Sequence, residues 1–238
     1  MTRRYISMLL LLLATLPCLG QNTAANLGNF DNRTLHWGIQ VGLTSSKFDL
    51  HYSEDDSLRQ NIQGTQSAYS PGFHINVIGD LRLGDYFNLR LLPGVTLVSR
   101  DIQYMWSKAY TETHWKYAEK RTVESVYGEI PLELKFRAKR YANFRPYLLA
   151  GGSWGFDFAS LRKNKNNDDE SIIRLNAMDL RYSMGVGLDF FMKYVKFAIE
   201  FKMAFGLIDL QVADDDLYTL STDGMKSRTY MLSFTFEG

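Results

Sequence analysis

Apolar and polar residues alternate along much of this chain. The segment HWGIQVGL, residues 36–43, places Trp37, Ile39 and Leu43 on one side of an extended backbone, with polar or small residues on the other. Successive side chains of a β-strand point to opposite faces, so this pattern is typical of a strand with one apolar face. We find about eight such segments, near residues 35–44, 72–81, 86–98, 126–138, 146–158, 179–191, 195–207 and 228–237.

The length of these segments favours lipid, rather than a second sheet, as the cover of the apolar faces. Several run for about 10–13 residues, whereas soluble strands average about 5–6 residues and a tilted membrane strand needs about 9–11. The opposite faces also carry charges in mid-strand. A soluble sandwich can expose such a face to water, so the alternation alone leaves both folds open.

The connections between the predicted strands alternate strictly between long and short. Long polar segments occupy roughly residues 45–70, 100–122, 160–177 and 208–226, and the short links between them include RLGD, KRYANF and MKY. Up-and-down barrels of the outer membrane combine brief periplasmic turns with extended outer loops. We therefore predict an all-β fold, a single up-and-down antiparallel eight-stranded transmembrane β-barrel with short periplasmic turns and long extracellular loops.

Aromatic residues concentrate toward the two ends of the predicted strands. Amphipathic rings prefer the headgroup zone of a bilayer, so two aromatic girdles are expected in such a barrel. A soluble core rich in aromatic residues is the alternative explanation. One predicted rim holds Trp37, Phe87, Phe136, Tyr147, Phe190, Tyr194 and Phe236, and the other holds Phe73, Trp154, Phe156, Phe158, Phe205 and Tyr230.

The start of the chain, MTRRYISMLLLLLATLPCLG, has the layout of a secretory signal peptide. A basic head precedes an apolar run that is shorter than the ~20 residues of a transmembrane helix. We expect residues 1–20 to be the signal peptide, 21–34 a short periplasmic segment and 35–238 the outer-membrane barrel. A lipoprotein acylated at Cys18 is the alternative, but Pro17 stands where a small residue is expected.

Composition excludes several classes of function. The 238 residues carry 27 Lys and Arg against 26 Asp and Glu, a net charge of +1, which suggests no nucleic-acid partner. Cys18 is the single cysteine, so we expect neither a disulfide nor thiol chemistry in the processed chain. The sequence contains no phosphate-binding or dinucleotide-binding fingerprint. We predict no catalytic residues, no cofactor and no small-molecule substrate.

Histidines and acidic runs are weak candidates for metal binding, and we predict no metal site. The four histidines are scattered without the spacing of zinc ligands, and the acidic runs of the predicted outer loops either bind calcium or are plain solvated loops. The histidines are His36, His51, His74 and His114, and the acidic runs are residues 54–56, 168–170 and 214–216.

The polar face of the predicted strands contains charges of both signs. The interior of an eight-stranded barrel is just wide enough to be filled by side chains, and an unpaired buried charge is costly. We therefore predict a salt-bridged network that plugs the lumen. Its predicted members are Arg90, Glu129, Glu133, Lys135, Arg137, Arg181, Asp189, Glu200 and Lys202.

Two clusters outside the predicted lumen are candidate contact surfaces. Lys139, Arg140 and Arg145 form a basic turn that either binds periplasmic partners or lipid phosphates, or is simply solvated. The second long loop has more aromatic residues than a solvated loop needs, which indicates either a partner contact or the packing of an extended hairpin. These aromatic residues are Tyr104, Trp106, Tyr110, Trp115 and Tyr117.

Three long segments strongly resemble the PorT family, called SprT in gliding bacteria. They are DLRLGDYFNLRLLPGVTL at 80–97, EIPLELKFRAKRYANFRPYLLAGGSWGFDFAS at 129–160 and YSMGVGLDFFMKYVKFAIEFKMAFGL at 182–207, and the likeness spans residues 36–236. The family consists of outer-membrane barrels of the type IX secretion system. The resemblance implies a role in exporting large cargo, such as gingipain-type proteases or gliding adhesins, with outer-membrane lipid and other type IX components as partners. It offers no catalytic residues to carry over.

A plugged lumen limits how such a barrel can act, because folded cargo does not fit through it. A secretion component of this kind must work through its loops, turns or lateral face. Two other functions stay open: a small binding or adhesion barrel that uses its outer loops, and a lipid-modifying enzyme. The enzyme would need a Ser/His/acid group, for which His51 or His114 with Ser53 or Ser107 are candidates that no motif supports.

Overall fold

The computed structural model describes residues 26–52, 62–106, 118–159, 176–211 and 222–238. The predicted signal peptide lies outside these ranges. Within them, no helix is long and apolar enough to cross a bilayer. A short 3-10 turn, Phe30–Asn32, comes first. The strands that follow are β1 (Leu35–Tyr52), β2 (Ile62–Ala68), β3 (Ser70–Arg82), β4 (Phe87–Leu91), β5 (Gly94–Trp106), β6 (Ala118–Arg137), β7 (Phe144–Asp157), β8 (Met178–Phe191), β9 (Lys196–Gly206) and β10 (Thr222–Glu237).

Two pairs of these strands each form one continuous course of the wall. β2 and β3 are separated only by Tyr69, and β4 and β5 only by Leu92 and Pro93. Proline has no N–H to donate to a neighbouring strand, which explains the second interruption. The carbonyl of Pro93 still accepts a hydrogen bond from the N–H of Val77. The ten strands therefore build eight courses.

The eight courses close into an antiparallel ring. Their order is β1, β10, β9, β8, β7, β6, β4/β5 and β2/β3. β1 pairs with both β10 and β3, which closes the seam between the first and last courses. Each course lies beside the next one along the chain. The predicted up-and-down eight-stranded barrel is confirmed.

Several strands are longer than the sequence pattern predicts. β1 continues to Tyr52, β5 continues to Trp106, and β6 already begins at Ala118. Beyond the lipid layer neither face of a strand has to be apolar, so the alternation fades while the hydrogen-bonded ladder goes on. The predicted loops 45–70, 100–122 and 208–226 are therefore too long, because each contains strand residues.

The barrel is apolar outside and polar inside. Trp37, Ile39 and Leu43 are 62%, 51% and 63% exposed, and Leu132 and Val186 project outward in the same way. The residues between them in sequence point into the lumen, as the period of two requires. A continuous apolar surface of this kind is the surface that lipid covers.

The two ends of the barrel differ in their connections. The turn end carries the short links 83–86, 138–143 and 192–195. The other end, here called the loop end, carries the long connections and faces outward from the cell in barrels of this type. This polarity orients the charged interior that lies between the two ends.

Candidate functional site

The lumen is filled with charged side chains of both signs. The structure buries all nine residues of the predicted network on the inner face of the wall. Among the described residues, eight buried cations stand against eight buried carboxylates, so the lumen carries no net charge from these groups. The cations are Arg90, Arg100, Lys135, Arg137, Arg145, Arg181, Lys196 and Lys202, and the carboxylates are Asp80, Glu129, Glu133, Asp157, Asp179, Asp189, Glu200 and Glu237.

Arg90 is the centre of this network. Its Nη1 lies 2.7 Å from Oε1 of Glu200, and both side chains are fully buried. Arg90 belongs to β4 and Glu200 to β9, which stand four courses apart in a ring of eight and therefore face each other across the barrel. Glu133 and Asp80 lie 3.7 and 4.0 Å from the same guanidinium. One cation thus joins three parts of the wall.

Two lysines extend the network around Arg90. Lys202 Nζ lies 2.8 Å from Oε1 of Glu133, and Lys135 Nζ lies 2.9 Å from Oδ1 of Asp189. Each pair links strands that are not neighbours in the wall. Buried ion pairs cost desolvation free energy unless hydrogen bonds satisfy the remaining atoms. Oε2 of Glu133 and Oδ2 of Asp189 are buried without a hydrogen-bond partner among the described residues, so these pairs carry part of that cost.

Neutral side chains complete the coordination of Glu200. Gln40 donates a hydrogen bond of 2.8 Å to Oε2 of Glu200, and Asn76 donates one of 3.0 Å to Gln40. The hydroxyl of Tyr147 donates a hydrogen bond of 2.7 Å to Oε1 of the same carboxylate. Five strands, β1, β3, β4, β7 and β9, thereby meet around one carboxylate.

The placement of Tyr147 corrects the predicted aromatic girdle. Tyr147 precedes the outward-facing Leu148 by one residue, so the period of two turns it into the lumen, where it is 3% exposed. Gly187 lies opposite it on β8, and a Cβ atom there would come within 2.2 Å of the Tyr147 ring. Lys135 Nζ lies 3.7 Å from the ring centre. The glycine provides the room that the ring occupies.

A second cluster lies nearer the loop end. Arg181 pairs with Glu129 at 2.5 Å and with Asp179 at 3.5 Å. Beyond it, the Arg100 guanidinium lies 4.9 Å from the Phe48 ring centre and donates a hydrogen bond of 3.1 Å to the Tyr127 hydroxyl. Four apolar side chains of this end are fully buried. They are Phe48, Ile102, Leu210 and Met225.

The turn end is occupied by the residues that precede β1. Asp31 lies 2.6 Å from Arg145, 3.7 Å from Arg137 and 3.6 Å from Arg140. Burial raises the pKa of Asp31, but the hydrogen bond and charge of Arg145 outweigh it and leave that pKa below its ordinary value. Next to Asp31, the Phe30 ring stacks on the His36 ring with centres 4.0 Å apart.

This arrangement corrects the interpretation of the basic turn as simply solvated. Arg145 is buried, and its partners are Asp31 and Asp189 of the same chain. Arg140 also donates a hydrogen bond to the carbonyl of Asn26. Of the nine predicted network residues, Arg137 pairs with Asp31 at this end rather than with the central cluster.

Several members of the network escaped the sequence analysis. Asp80, Lys196 and Glu237 are buried in the lumen, and Lys196 Nζ lies 2.6 Å from Glu237 Oε2. All three lie opposite the outward-facing apolar residues of their strands, and this alternation was the signal that could have found them. Asp31 precedes the first strand, so no periodicity pointed to it.

Other predicted features lie partly or wholly outside the described residues. Tyr104 and Trp106 belong to β5 by their backbone, so the hairpin extends into this part of the predicted loop, and the partner contact stays a prediction. Tyr110, Trp115 and Tyr117, the three acidic runs, His114, Ser53 and Ser107 all fall outside. In the part of the chain that the structure describes, no group of three His, Cys, Asp or Glu side chains is placed to hold a metal ion.

The closed wall and the filled, polar interior define an integral membrane β-barrel. Residues 20–212 match the family model described as outer membrane protein beta-barrel domain, and the chain belongs to this family. The predicted location in the outer membrane is confirmed. No curated protein matches the chain.

Solved outer-membrane barrels resemble the fold at low identity. OprG from Pseudomonas aeruginosa is 14% identical, with 86% of this chain and 94% of that chain covered and a TM-score of 0.41. Neisserial surface protein A is 11% identical, with coverages of 84% and 95% and a TM-score of 0.43. Ail, the attachment invasion locus protein of Yersinia pestis, is 12% identical, with coverages of 87% and 100% and a TM-score of 0.37. No function follows from likeness at this level.

Proposed function

We propose that the protein is a non-enzymatic outer-membrane component of the type IX secretion system. It is required for the export of cargo proteins across the outer membrane and acts by contacts with partners. The observation that carries this proposal is the resemblance of residues 80–97, 129–160 and 182–207 to the PorT family. These segments include the strands that supply Arg90, Glu133 and Glu200.

The filled lumen supports the part of the proposal that assigns contacts rather than conduction. An ion pair between opposite walls crosses the interior. A folded cargo protein would have to break this pair and the hydrogen bonds around Glu200. Buried charges deprived of their partners cost about 3–5 kcal/mol each, so opening the lumen at every export event is unfavourable.

The surfaces left for partner contacts are the two ends and the lateral face. The lateral face is apolar and suits lipid or another membrane protein. The turn end is directed toward the periplasm in barrels of this type. Components on the periplasmic side would therefore meet the basic turn and the segment that holds Asp31.

Deletion of the gene in a bacterium with a type IX system tests the proposal. We expect cargo proteases or adhesins to disappear from the cell surface and accumulate in the periplasm, and plasmid-borne protein to restore export. Unchanged surface cargo in the deletion strain would overturn the proposal. The matched control is the double variant Arg90→Gln with Glu200→Gln, which leaves the net charge of the lumen unchanged. Where this variant assembles in the outer membrane, we expect it to restore export.

A further inference from the structure

The turn end carries an excess of positive charge. Residues 26–34, 82–86, 137–145 and 192–195 hold seven cations and two carboxylates, and the strand ends beside them add the buried Lys196, Asp80, Asp189 and Glu237. The carboxylates are Asp31 and Asp85, and Asp85 is 81% exposed and paired with Arg82. The cations are Arg33, Arg82, Arg137, Lys139, Arg140, Arg145 and Lys193.

Four of these cations converge on one point, and we call them the arginine cradle: Arg82, Arg137, Arg140 and Arg145. The last three lie within 3.7 Å of the carboxylate of Asp31, and Arg82 donates a hydrogen bond to the carbonyl of Asp31. The side chains of Arg137 and Arg145 are each only 5% exposed. The four guanidiniums have three carboxylates within 4.0 Å, Asp31, Asp85 and Asp189, so the cradle keeps one positive charge without a carboxylate of its own.

The cradle also lacks hydrogen-bond acceptors for its inner atoms. Nε of Arg137 and Nε of Arg145 are both buried without a hydrogen-bond partner. Arg145 does have a second carboxylate nearby, with its Nε 3.6 Å from Oδ2 of Asp189. A further carboxylate oxygen would complete the coordination that Asp31 alone leaves unfinished.

The segment that supplies Asp31 is held to the barrel mainly by side-chain contacts, and besides its ion pairs it makes ring contacts and hydrogen bonds. Phe30 packs against His36 and, edge to face, against Phe191 at 6.2 Å between ring centres. Asn26 donates two hydrogen bonds, from its backbone N–H to Oδ1 of Asn143 and from its side-chain amide to the carbonyl of Phe191. Residues 26–34 belong to no strand of the wall, so the segment can leave without breaking the ladder of the barrel.

We infer that the arginine cradle is a carboxylate-binding site for an acidic segment of a periplasmic protein, and that Asp31 is its resident ligand within the same chain. Phe30 beside Asp31 indicates that the incoming segment pairs an aromatic residue with an acidic one. The cradle lies over the mouth of the lumen, whereas the headgroups of the inner leaflet surround the perimeter of the barrel. This position favours a peptide over a lipid phosphate.

The inference rests on the proposed function only in naming the partner as a secretion component. Binding itself is a property of the purified full chain. If the cradle binds no acidic peptide, the secretion proposal still stands on the deletion phenotype. If deletion leaves export intact, binding to the cradle still identifies a carboxylate receptor.

The test measures peptide binding to the full chain in detergent by isothermal titration. One probe is a synthetic peptide of residues 26–34, NLGNFDNRT, which is called the acidic peptide here because it carries Asp31. The other probe is the same peptide with Asn in place of this Asp. We expect the acidic peptide to bind Asp31→Asn about tenfold more tightly than it binds the wild type. In the wild type the Asp31 carboxylate occupies the cradle and competes with the peptide, and the variant lacks this carboxylate. Asp101→Asn, which removes one carboxylate near the loop end and away from the cradle, is the matched control and should bind as the wild type does.

Four results would overturn the inference. The first is equal affinity of the acidic peptide for Asp31→Asn and Asp101→Asn. The second is equal binding of the two peptides to Asp31→Asn. The third is binding that survives the added change Arg145→Gln in a protein that still shows barrel circular dichroism. The fourth is complete displacement of the peptide by vesicles of phosphatidylglycerol, which would assign the cradle to lipid phosphate.

Discussion

Arg90 and Glu200 form an ion pair of 2.7 Å between opposite walls of the barrel. Neither residue is near the other in sequence, and neither neighbours the other in the sheet. The pair exists because an eight-stranded ring is narrow enough for one arginine and one glutamate to span it. It ties the two halves of the wall together and leaves the interior solid at this level.

Removal of one partner should destabilise the barrel strongly. Glu200→Gln leaves the Arg90 charge buried beside a neutral amide, and we expect a loss of about 3–5 kcal/mol in the free energy of unfolding. Urea titration in lipid vesicles measures this loss. Asp85→Asn, at an exposed position of the turn end, is the control and should change stability by less than about 0.5 kcal/mol. If Glu200→Gln lowers the free energy of unfolding by less than about 0.5 kcal/mol, the ion pair does not stabilise the barrel as proposed.

The filled lumen should also prevent steady ion conduction. We expect the wild-type barrel in a planar bilayer to give no continuous current, because charged side chains occupy the cross-section. Arg90→Ser combined with Glu200→Ser and Lys202→Ser removes the central group and should produce measurable current. A stable conductance of the wild type, above that of a bilayer without protein, would show that the lumen is open.

The docking of the first described residues should depend on pH. Because the pKa of Asp31 is lowered on docking from its ordinary value of 3.8, the carboxylate stabilises docking above that value. This contribution is lost as the pH falls through the lowered pKa. A fluorophore on Asn29→Cys, with Cys18 replaced by Ser, should therefore show constant anisotropy from pH 7 to about pH 4 and a fall below it.

Asp31→Asn is the control for this titration. It lacks the titrating group, so its anisotropy should be low at neutral pH and should not fall further in acid. An identical acid transition in Asp31→Asn would assign the change to another group and contradict the role of Asp31.

Charge on the outer surface should be tolerated only near the ends of the barrel. Leu132 faces outward at the centre of the alternating segment 126–138, so Leu132→Arg should cost about 2–4 kcal/mol of folding free energy in a bilayer. Tyr141→Arg, an exposed position in a turn, should cost about 0–1 kcal/mol. Folding titrations into vesicles compare the two, and equal costs would mean that lipid does not cover Leu132.

The sequence carried most of the information on the fold. The period of two assigns Ile39 and Leu132 to one face and Glu133 and Glu200 to the other, because backbone geometry alone separates successive side chains. The alternation of long and short links sets the up-and-down order. The same rule, applied strictly, also places Tyr147 inside.

The tertiary structure decided which of the inward charges meet. Parity places Arg90 and Glu200 on the inner face, but only closure of the ring brings β4 opposite β9. Asp31 has no periodic context, and its position in the arginine cradle depends on where the links 83–86 and 138–143 meet the segment before β1. The sequence determines whether a side chain points into the lumen or away from it, because this alternation is a property of the strand backbone. Pairing across the lumen depends instead on the curvature of the whole wall.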